Sequence, residues 1–442
     1  MPPNTNWKNR FFLVFKNNLG GFWILLSQLV LLLTNFLLLK LLTLNLSIED
    51  FGYYSLAMSI ILFARQVIYD PISITGGKKV GASAGSPKEI SSNFQIMSLI
   101  IDYFGIGLLV VGLAFLFLAD AAINESLLGL LVCICTFYLC ATAAQGVYIN
   151  LLNSCGDRKS AAIFSVADSV LKVGLVASFL LLFTSSLINI LAGISISTFF
   201  VFLIMRRYIR RHYSFEKKPI IELKLLAKKS ILISMPLYLP IIFVAFKSVS
   251  DRWLLTSFTG VDELAIYSVL LQIGYSPVML FFGVVQTYFA PKIYQISADH
   301  SAKGRKELRQ FIGKIFLSVF IFTFTAVIVS IFISKWLLSV LTGPAYHGLD
   351  VYMPIFVASG GLAALAGILQ VVAIGALEVK SVGRLMYLSV LLSVGILLIA
   401  LTGWGFIGAV AALPITGAVF VLLYWLRIYY ELLPSRQLLS VK

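Results

Sequence analysis

Nine ionisable side chains interrupt long apolar stretches of this sequence. The five cations are Lys40, Arg65, Lys172, Lys247 and Arg252, and the four acids are Asp70, Asp102, Asp168 and Asp251. Arginine holds phosphate through forked hydrogen bonds, and lysine holds it as a point charge. Because the cations outnumber the acids, the set favours a site for an anionic group. The acids provide either charge pairing or a route for H⁺ or Na⁺ coupling.

The elements that carry these side chains are predicted to lie in a membrane. Hydrophobic residues make up 60% of the chain, charged residues make up 12%, and the mean hydropathy is +0.96. Soluble domains carry about 25% charged residues. A charge at the centre of a bilayer costs from about 2.5 to more than 10 kcal/mol. We therefore expect the nine side chains to face protein or water.

Apolar stretches of about 20 residues, long enough to cross a hydrocarbon core of about 30 Å, recur along the chain. They show no sustained alternation, which argues against a barrel. The predicted fold is all-α and polytopic, with about twelve transmembrane helices. The spans are 19–43, 52–74, 94–118, 127–151, 161–184, 187–205, 230–256, 264–290, 309–333, 351–377, 385–402 and 408–426.

The connecting segments support this count through their charges. Most of the 34 lysines and arginines fall in alternate segments: the N-terminus, residues 75–93, 152–160, 206–229, 291–314, 380–384 and the C-terminus. The other connecting segments, which alternate with these, hold Lys335 and several acids. Since cytoplasmic loops carry the excess of positive charge, both termini are predicted to be cytoplasmic. The net charge of +15 is then a topology signal and a surface for anionic headgroups, and we expect no nucleic-acid partner.

Two similar stretches indicate an internal repeat. "IEDFGYYSL" begins at Ile48 and "VDELAIYSV" begins at Val261, and each follows the first span of its half. Both read aliphatic, acid, acid, bulky apolar, small, variable, Tyr, Ser, aliphatic. Two halves of equal topology are parallel repeats, and such repeats commonly enclose a substrate cavity. The predicted domains are six-helix bundles at residues 1–215 and 216–442.

The ionisable residues are concentrated in spans one, two, three, five and seven, which we expect to line the cavity. Span seven also contains Pro236 and Pro240, each of which removes a helical hydrogen bond, so this helix is predicted to bend and move. Pro277, Pro354 and Pro414 indicate similar bends in spans eight, ten and twelve.

Several of these side chains have simpler interpretations. Lys40 and Arg252 lie near span ends and could reach the headgroups. Asp70 precedes Pro71 and could cap a helix end. Asp168 with Lys172, and Lys247 with Asp251, are four residues apart and could form self-neutralising pairs on one helix face. Arg65 lies near mid-membrane with no acid four residues away, and Lys172 is comparably deep.

The sequence gives little support to ATP hydrolysis, catalysis or metal binding. The chain has no G-x-x-x-x-G-K-[ST] loop for ATP, and its cysteines and histidines lack the spacing of a metal site. We expect no enzyme activity, no metal and no cofactor beyond a coupling ion. A secondary or gradient-driven transporter is the class that remains.

Three stretches resemble the polysaccharide-biosynthesis flippases of the multidrug/oligosaccharidyl-lipid/polysaccharide (MOP) exporter superfamily. They are "LSIEDFGYYSLAMSI", "GDRKSAAIFSVADSVLKVGLVAS" from Gly156 to Ser178, and "SDRWLLTSFTGVDELAIYSVLLQIGYSPV" from Ser250 to Val278. The resemblance extends over nearly the whole chain in span count and loop sizes, although the motifs themselves are loose.

This resemblance implies that the protein flips an undecaprenyl-diphosphate-linked O-antigen or capsule repeat unit across a bacterial inner membrane. It implies alternating access, with cavity cations engaging the diphosphate or acidic sugars, and Arg65, Lys172, Lys247, Arg252 and Lys40 are the candidates. It also implies membrane lipid and the polysaccharide polymerase or chain-length machinery as partners, with the protein working as a monomer.

Two other transporter classes stay open. A drug or cation antiporter of the same superfamily would need excess acid in its cavity, whereas cations lead here by five to four. A major-facilitator symporter would carry a Gly-x-x-x-Asp-Arg-type signature in residues 75–93, which is missing. A membrane glycosyltransferase or polymerase would need a large outer loop, and the predicted outer loops are short.

Overall fold

A computed structural model describes residues 19–83, 86–123, 126–183, 185–213, 215, 219–283, 285, 293, 296, 302–377 and 379–432. Every regular element within these residues is helical, which confirms the all-α prediction. Eleven of the helices found there are long and apolar enough to cross a membrane. The N-terminal cations, Asp120, Glu125, most of the predicted 291–314 segment and, at the C-terminus, Arg436 and Lys442 have no described side chains.

The helices are numbered in chain order. They are α1 Leu19–Asn45, α2 Ile48–Ala82, α3 Pro87–Ile123, α4 Ser126–Ser154, α5 Arg158–Leu182, α6 Leu187–His212, α7 Ile220–Thr259, α8 Val261–Gly283, α9 Ala302–Leu341, α10 Met353–Ala376, α11 residues 379–404 and α12 residues 406–432. A 3₁₀ helix, Pro344–Tyr352, precedes α10.

The last two helices form a hairpin at Gly405. Residues Val379–Leu432 are helical on either side of Gly405, but Gly405 itself has φ 54° and ψ −131°, which is not helical. A Cβ at Gly408 would lie 1.9 Å from the Ala400 carbonyl oxygen. Residues eight apart in a straight helix are separated by about 12 Å. The chain therefore reverses at Gly405, and the eleven apolar helices correspond to the twelve predicted spans, except that the predicted end of span eight, residues 284 and 286–290, lies outside the described residues.

Several helices extend beyond the predicted spans. Span seven was predicted at 230–256 and span nine at 309–333, whereas α7 begins at Ile220 and α9 runs from Ala302 to Leu341. Hydropathy marks only the part of a helix that crosses hydrocarbon. As a result, many cations assigned to the 206–229 loop lie on the ends of α6 and α7.

The described chain divides into two compact units. Residues up to Leu38 together with Ile61–Ile241 form the first unit, and Leu39–Ile60 with the residues from Ile242 onward form the second. Helices α1, α2 and α7 contribute to both units. The boundary predicted between residues 215 and 216 follows the repeat along the chain and stays a prediction.

The core of the first unit is built by α2 to α6 and the start of α7. Tyr69, Phe94 and Tyr148 are among its largest buried side chains. The hydroxyls of Ser98 and Tyr148 lie 2.8 Å apart and join α3 to α4. The start of α7 is tied to α2 by Lys79 Nζ, which donates to Ser230 Oγ at 2.8 Å, and by Ser234 Oγ, which donates to Thr75 Oγ1 at 2.9 Å.

The second unit includes the hairpin formed by the end of α1 and the start of α2, Leu39–Ile60. Ser47 caps α2 by accepting from the Asp50 backbone N–H at 3.0 Å. The hairpin packs closely on the starts of α8 and of the 3₁₀ helix: a Cβ at Gly52 would lie 2.3 Å from the Val261 carbonyl oxygen, and one at Gly343 would lie 2.3 Å from that of Thr43. Trp253 Nε1 also donates to Ser59 Oγ at 2.9 Å.

The two repeat stretches occupy the same place in their halves. Ile48 is the first residue of α2 and Val261 is the first residue of α8, and each helix carries two acids in its first turn. Acids there are stabilised by the helix dipole. Gly52 and Ala265 are the equivalent small residues, and both are buried. This agreement supports the predicted duplication.

The prolines differ in their effects. Pro236 and Pro240 lie inside α7, and Pro414 lies inside α12. Pro354 stands in the first turn of α10, where its missing N–H is not needed, so the predicted bend at that proline is wrong. Pro277 follows a π-helical turn, Leu271–Tyr275, in which the Leu271 carbonyl accepts from Ser276 N–H and from Ser276 Oγ at 2.9 Å.

Candidate functional site

The second unit contains a cavity of about 480 Å³. It is lined on one side by Lys247, Asp251 and Arg252 of α7 and elsewhere by α8, α10, α11 and α12. Its volume lies within the ~300–1,000 Å³ typical of small-molecule sites. The structure thus brings together three of the nine predicted site residues.

Lys247 is held by an aromatic ring. Its Nζ lies 3.6 Å from the centroid of the Phe420 ring, the geometry of a cation–π contact. The predicted alternative of a self-neutralising pair with Asp251 is wrong, because the ion pairs within 4.0 Å among the described residues do not include these two. Lys247 therefore keeps its charge available to the cavity.

Asp251 accepts hydrogen bonds from neutral donors. Tyr267 Oη donates to Asp251 Oδ2 at 3.0 Å, and the Arg252 backbone N–H donates to Oδ1 at 2.9 Å. The Tyr267 hydroxyl is the repeat-motif tyrosine, so the start of α8 fixes the carboxylate on α7. The adjacent guanidinium of Arg252 has a buried Nε without a hydrogen-bond partner among the described residues.

Hydroxyl groups make up much of the remaining wall. Several donate their proton to a carbonyl of their own helix and keep their lone pairs for another partner: Ser250 to Lys247, Ser276 to Leu271, Ser359 to Ile355, Ser389 to Met386 and Thr416 to Leu413. The cavity therefore offers cationic donors on α7 and hydroxyl acceptors on α7, α8, α10, α11 and α12. This arrangement suits a ligand that carries both anionic oxygens and hydroxyl groups.

A π-helical turn shapes one side of the cavity. Tyr275 and Ser276 both line it, and they lie at the end of the turn Leu271–Tyr275. Such single-turn insertions are frequent at functional sites. Gly360 of α10 permits a close approach here, since a Cβ would lie 2.9 Å from the Tyr275 carbonyl oxygen.

The other predicted residues lie elsewhere. In the first unit, Lys172 Nζ binds Asp168 Oδ2 at 2.6 Å and lies 5.6 Å from the Tyr138 ring centroid. The self-neutralising pair predicted as the simpler interpretation is therefore present. Both side chains are mostly buried, with exposed fractions of 18% and 12%.

Asp102 pairs with a residue that sequence reasoning placed in a loop. Arg206 Nη2 binds Asp102 Oδ2 at 2.5 Å, although the two are 104 residues apart. Arg206 follows the predicted end of span six by one residue, and its helix continues to His212. The long side chain of an arginine at a span end, opposite an unpaired intramembrane acid, is the signal that could have found this pair.

Arg65 and Asp70 lie in α2 and interact electrostatically with each other. Arg65 also has a buried Nε without a hydrogen-bond partner among the described residues, and its role in binding a ligand stays a prediction. Lys40 is half-buried in α1, which ends at Asn45. A single cavity that collects all five cations stays a prediction.

Comparison of the sequence with known families gives one clear result. The family described as polysaccharide biosynthesis protein matches residues 19–297, more than half of the chain. Comparison with curated protein sequences finds no match.

Solved structures with the same fold cover nearly the whole chain. An inward-facing MATE family multidrug resistance transporter of the MOP superfamily superposes with a TM-score of 0.63 at 15% identity, covering 94% of this chain and 99% of that one. The lipid II flippase MurJ, in an inward closed conformation, gives 0.63 at 14% identity, covering 94% and 89%.

An outward-facing MATE family multidrug resistance transporter of the same superfamily gives a TM-score of 0.60 at 14% identity, covering 93% and 96%. At these identities the superpositions establish the fold, and the family match establishes the relationship in sequence. The chain belongs to the polysaccharide biosynthesis protein family, on the helical fold shared by MATE transporters and MurJ.

Proposed function

We propose that this protein is a flippase that moves a lipid-diphosphate-linked oligosaccharide from the cytoplasmic to the outer leaflet of a bacterial inner membrane. The family match supports a role in polysaccharide biosynthesis. The observation that carries the proposal is the cavity of the second unit, whose lining combines Lys247 and Arg252 with several hydroxyl acceptors.

The chemistry of the cavity suits the head group of such a lipid. An unpaired anion transferred into hydrocarbon costs tens of kcal/mol by idealised Born estimates, so a diphosphate needs cations along its route. Lys247 and Arg252 supply donors to phosphate or acidic-sugar oxygens, and the hydroxyl lone pairs accept from sugar hydroxyls. A cavity of about 480 Å³ holds part of the head group, while the lipid tail stays in the bilayer.

The membrane potential contributes to the direction of movement. Moving one elementary charge across 100 mV changes the free energy by about 2.3 kcal/mol. A head group of charge about −2 is therefore driven outward by about 4.6 kcal/mol in a cell with a negative interior. Proteoliposomes containing a fluorescent undecaprenyl-diphosphate sugar should flip it faster under an inside-negative potential. Equal rates with and without voltage would leave H⁺ or Na⁺ coupling through the acids as the driving force.

A second candidate is the export of cationic drugs, because MATE transporters share the fold. The cavity holds Lys247 and Arg252 against Asp251, so its charge balance is positive and disfavours a cationic guest.

Gene deletion distinguishes these two functions. We expect loss of surface glycan and accumulation of its lipid-linked unit on the cytoplasmic side, and complementation by the wild-type gene. Normal glycan with new sensitivity to cationic drugs would overturn the flippase proposal.

A further inference from the structure

A second hollow, of about 430 Å³, lies in the first unit at the C-terminal end of α6. Its lining residues are Ile204, Arg207, Tyr208, Arg211 and His212. They are spaced three, four, seven and eight residues from Ile204, so all five lie on one face of the helix. This hollow has no part in the transport proposed above.

The cationic side chains at the end of α6 point in different directions. Arg206 turns inward and binds Asp102. Arg207, Arg211 and His212 are exposed and border the hollow. Cations are favoured at any helix C-terminus by the dipole, and loops on the cytoplasmic side are generally basic. Those effects account for the presence of cations, but they do not account for two arginines and a histidine around one hollow.

The base of the hollow is fixed by hydrogen bonds and ring contacts. Tyr208 Oη donates to Asp157 Oδ2 at 3.1 Å and lies 2.9 Å from Ser160 Oγ. The Tyr208 ring stacks on His212 with centroids 5.3 Å apart and packs edge-on against Phe164 at 5.4 Å. Asp157 also accepts from the Ser160 backbone N–H at 3.2 Å, where it caps α5. Asp157, the acid described beside the hollow, therefore already accepts hydrogen bonds from neutral donors.

Two neighbouring features, an exposed aliphatic side chain and a cation–π contact, indicate that the hollow lies at the depth of lipid headgroups. Ile204, one turn closer to the apolar part of α6, is an exposed aliphatic side chain suited to an acyl chain. Lys159, beside the Asp157 cap, lies with its Nζ 5.5 Å from the centroid of the Trp23 ring. Tryptophan and lysine are both enriched at membrane–water interfaces.

We propose that this hollow binds the phosphate headgroup of an anionic phospholipid. Arg207 and Arg211 donate forked hydrogen bonds to the phosphate oxygens, His212 borders the headgroup, and Ile204 contacts the start of an acyl chain. Basic pockets beside membrane helices are suited to anionic headgroups. The site is separate from the cavity of the second unit and does not depend on the transport proposal.

Native mass spectrometry of the purified full-length protein tests the site. The protein is titrated with phosphatidylglycerol and, separately, with phosphatidylcholine. We expect one phosphatidylglycerol to bind more tightly than the rest, and R207Q/R211Q to weaken that binding roughly 25-fold, from about fivefold for each arginine. The matched control R210Q/K224Q removes two exposed cations from outside the lining and should leave the tight site in place.

Three results would overturn the proposal. Equal weakening in R210Q/K224Q would show that overall charge, and not the hollow, holds the lipid. Equal affinity for phosphatidylcholine would show that no anionic headgroup is recognised. Displacement of phosphatidylglycerol by undecaprenyl phosphate at lower concentration would assign the hollow to the polyprenyl carrier. Since all four substituted residues are exposed, each variant should remain folded.

Discussion

Individual charged residues in this protein serve two different purposes. Lys247 and Arg252 border a cavity and keep donors available, whereas Asp168 with Lys172 and Asp102 with Arg206 neutralise each other within the first unit. All lie in apolar helices, so hydropathy alone does not separate them. The distinction depends on whether an oppositely charged group lies within reach.

Replacement of Lys247 by methionine should abolish surface glycan assembly while the protein remains in the membrane. The aliphatic stem is kept and the charge over Phe420 is lost, so anion binding fails without loss of packing. Lys247→Arg should retain partial function. Complementation of a deletion strain, with protein quantified by immunoblot, measures both. Lys335→Met, which removes an exposed cation of α9, is the control, and full activity of Lys247→Met would contradict the proposed role.

Replacement of Lys172 by leucine should lower the free energy of unfolding by about 3 kcal/mol, because Asp168 is left as an uncompensated buried charge. The double variant Lys172→Leu with Asp168→Leu should regain most of that loss. Thermal unfolding of the purified variants in detergent gives the comparison. If the double variant is stable but inactive, the pair takes part in transport and is more than structural.

At the scale of elements, small residues set how closely helices and loops approach. The hairpin Leu39–Ile60 packs on the start of α8, where Gly52 contacts Val261, and on the start of the 3₁₀ helix, where Gly343 contacts Thr43. The Gly343 backbone N–H also donates to Thr43 Oγ1 at 3.0 Å. A larger residue at either glycine would separate these backbones.

The variant Gly343→Ala should lower the free energy of unfolding by about 1–3 kcal/mol, the usual cost of overpacking. Its Cβ would lie 2.3 Å from the Thr43 carbonyl oxygen, and backbone cannot move aside as a flexible side chain can. Gly343 has negative φ, so alanine adds no backbone strain of its own. Gly348→Ala, which meets nothing within 4 Å, is the matched control. Thermal unfolding that is equal for both variants would refute the importance of this contact.

At the scale of the whole molecule, the charge pattern predicts orientation. Residues 206–229, which form the end of α6, the connection and the start of α7, carry nine lysines and arginines, and the segment between α9 and α10 carries Asp350 and His347. The first is expected in the cytoplasm and the second outside. The orientation decides which leaflet supplies the lipid.

Cysteine labelling of intact cells checks this orientation. In a background without the four native cysteines, Gly348→Cys should react with a membrane-impermeant maleimide, because residue 348 is exposed in the outer segment. Lys224→Cys, exposed at the start of α7, should react only after the cells are lysed. The reverse pattern would place both termini outside and invert the proposed direction of transport.

The sequence by itself determined the properties that depend on neighbours along the chain. Long apolar stretches specified the membrane helices, the repeat motif marked the starts of α2 and α8, and the family resemblance is confirmed. Spacing also placed Lys247 and Asp251 on one helix face. These properties can be predicted from the sequence because helix formation and hydrophobic transfer depend on residues that lie only a few positions apart.

The tertiary structure alone decided which side chains from distant parts of the chain meet, and which of several possible partners each one takes. Arg206 reaches Asp102 from 104 residues away, Lys247 turns to Phe420 instead of Asp251, and the hairpin Leu39–Ile60 joins the second unit. A charged side chain has several possible partners within reach, and the packing of distant helices selects among them. The cavity and the basic hollow arise from that selection, because each needs side chains from a particular face to converge in space.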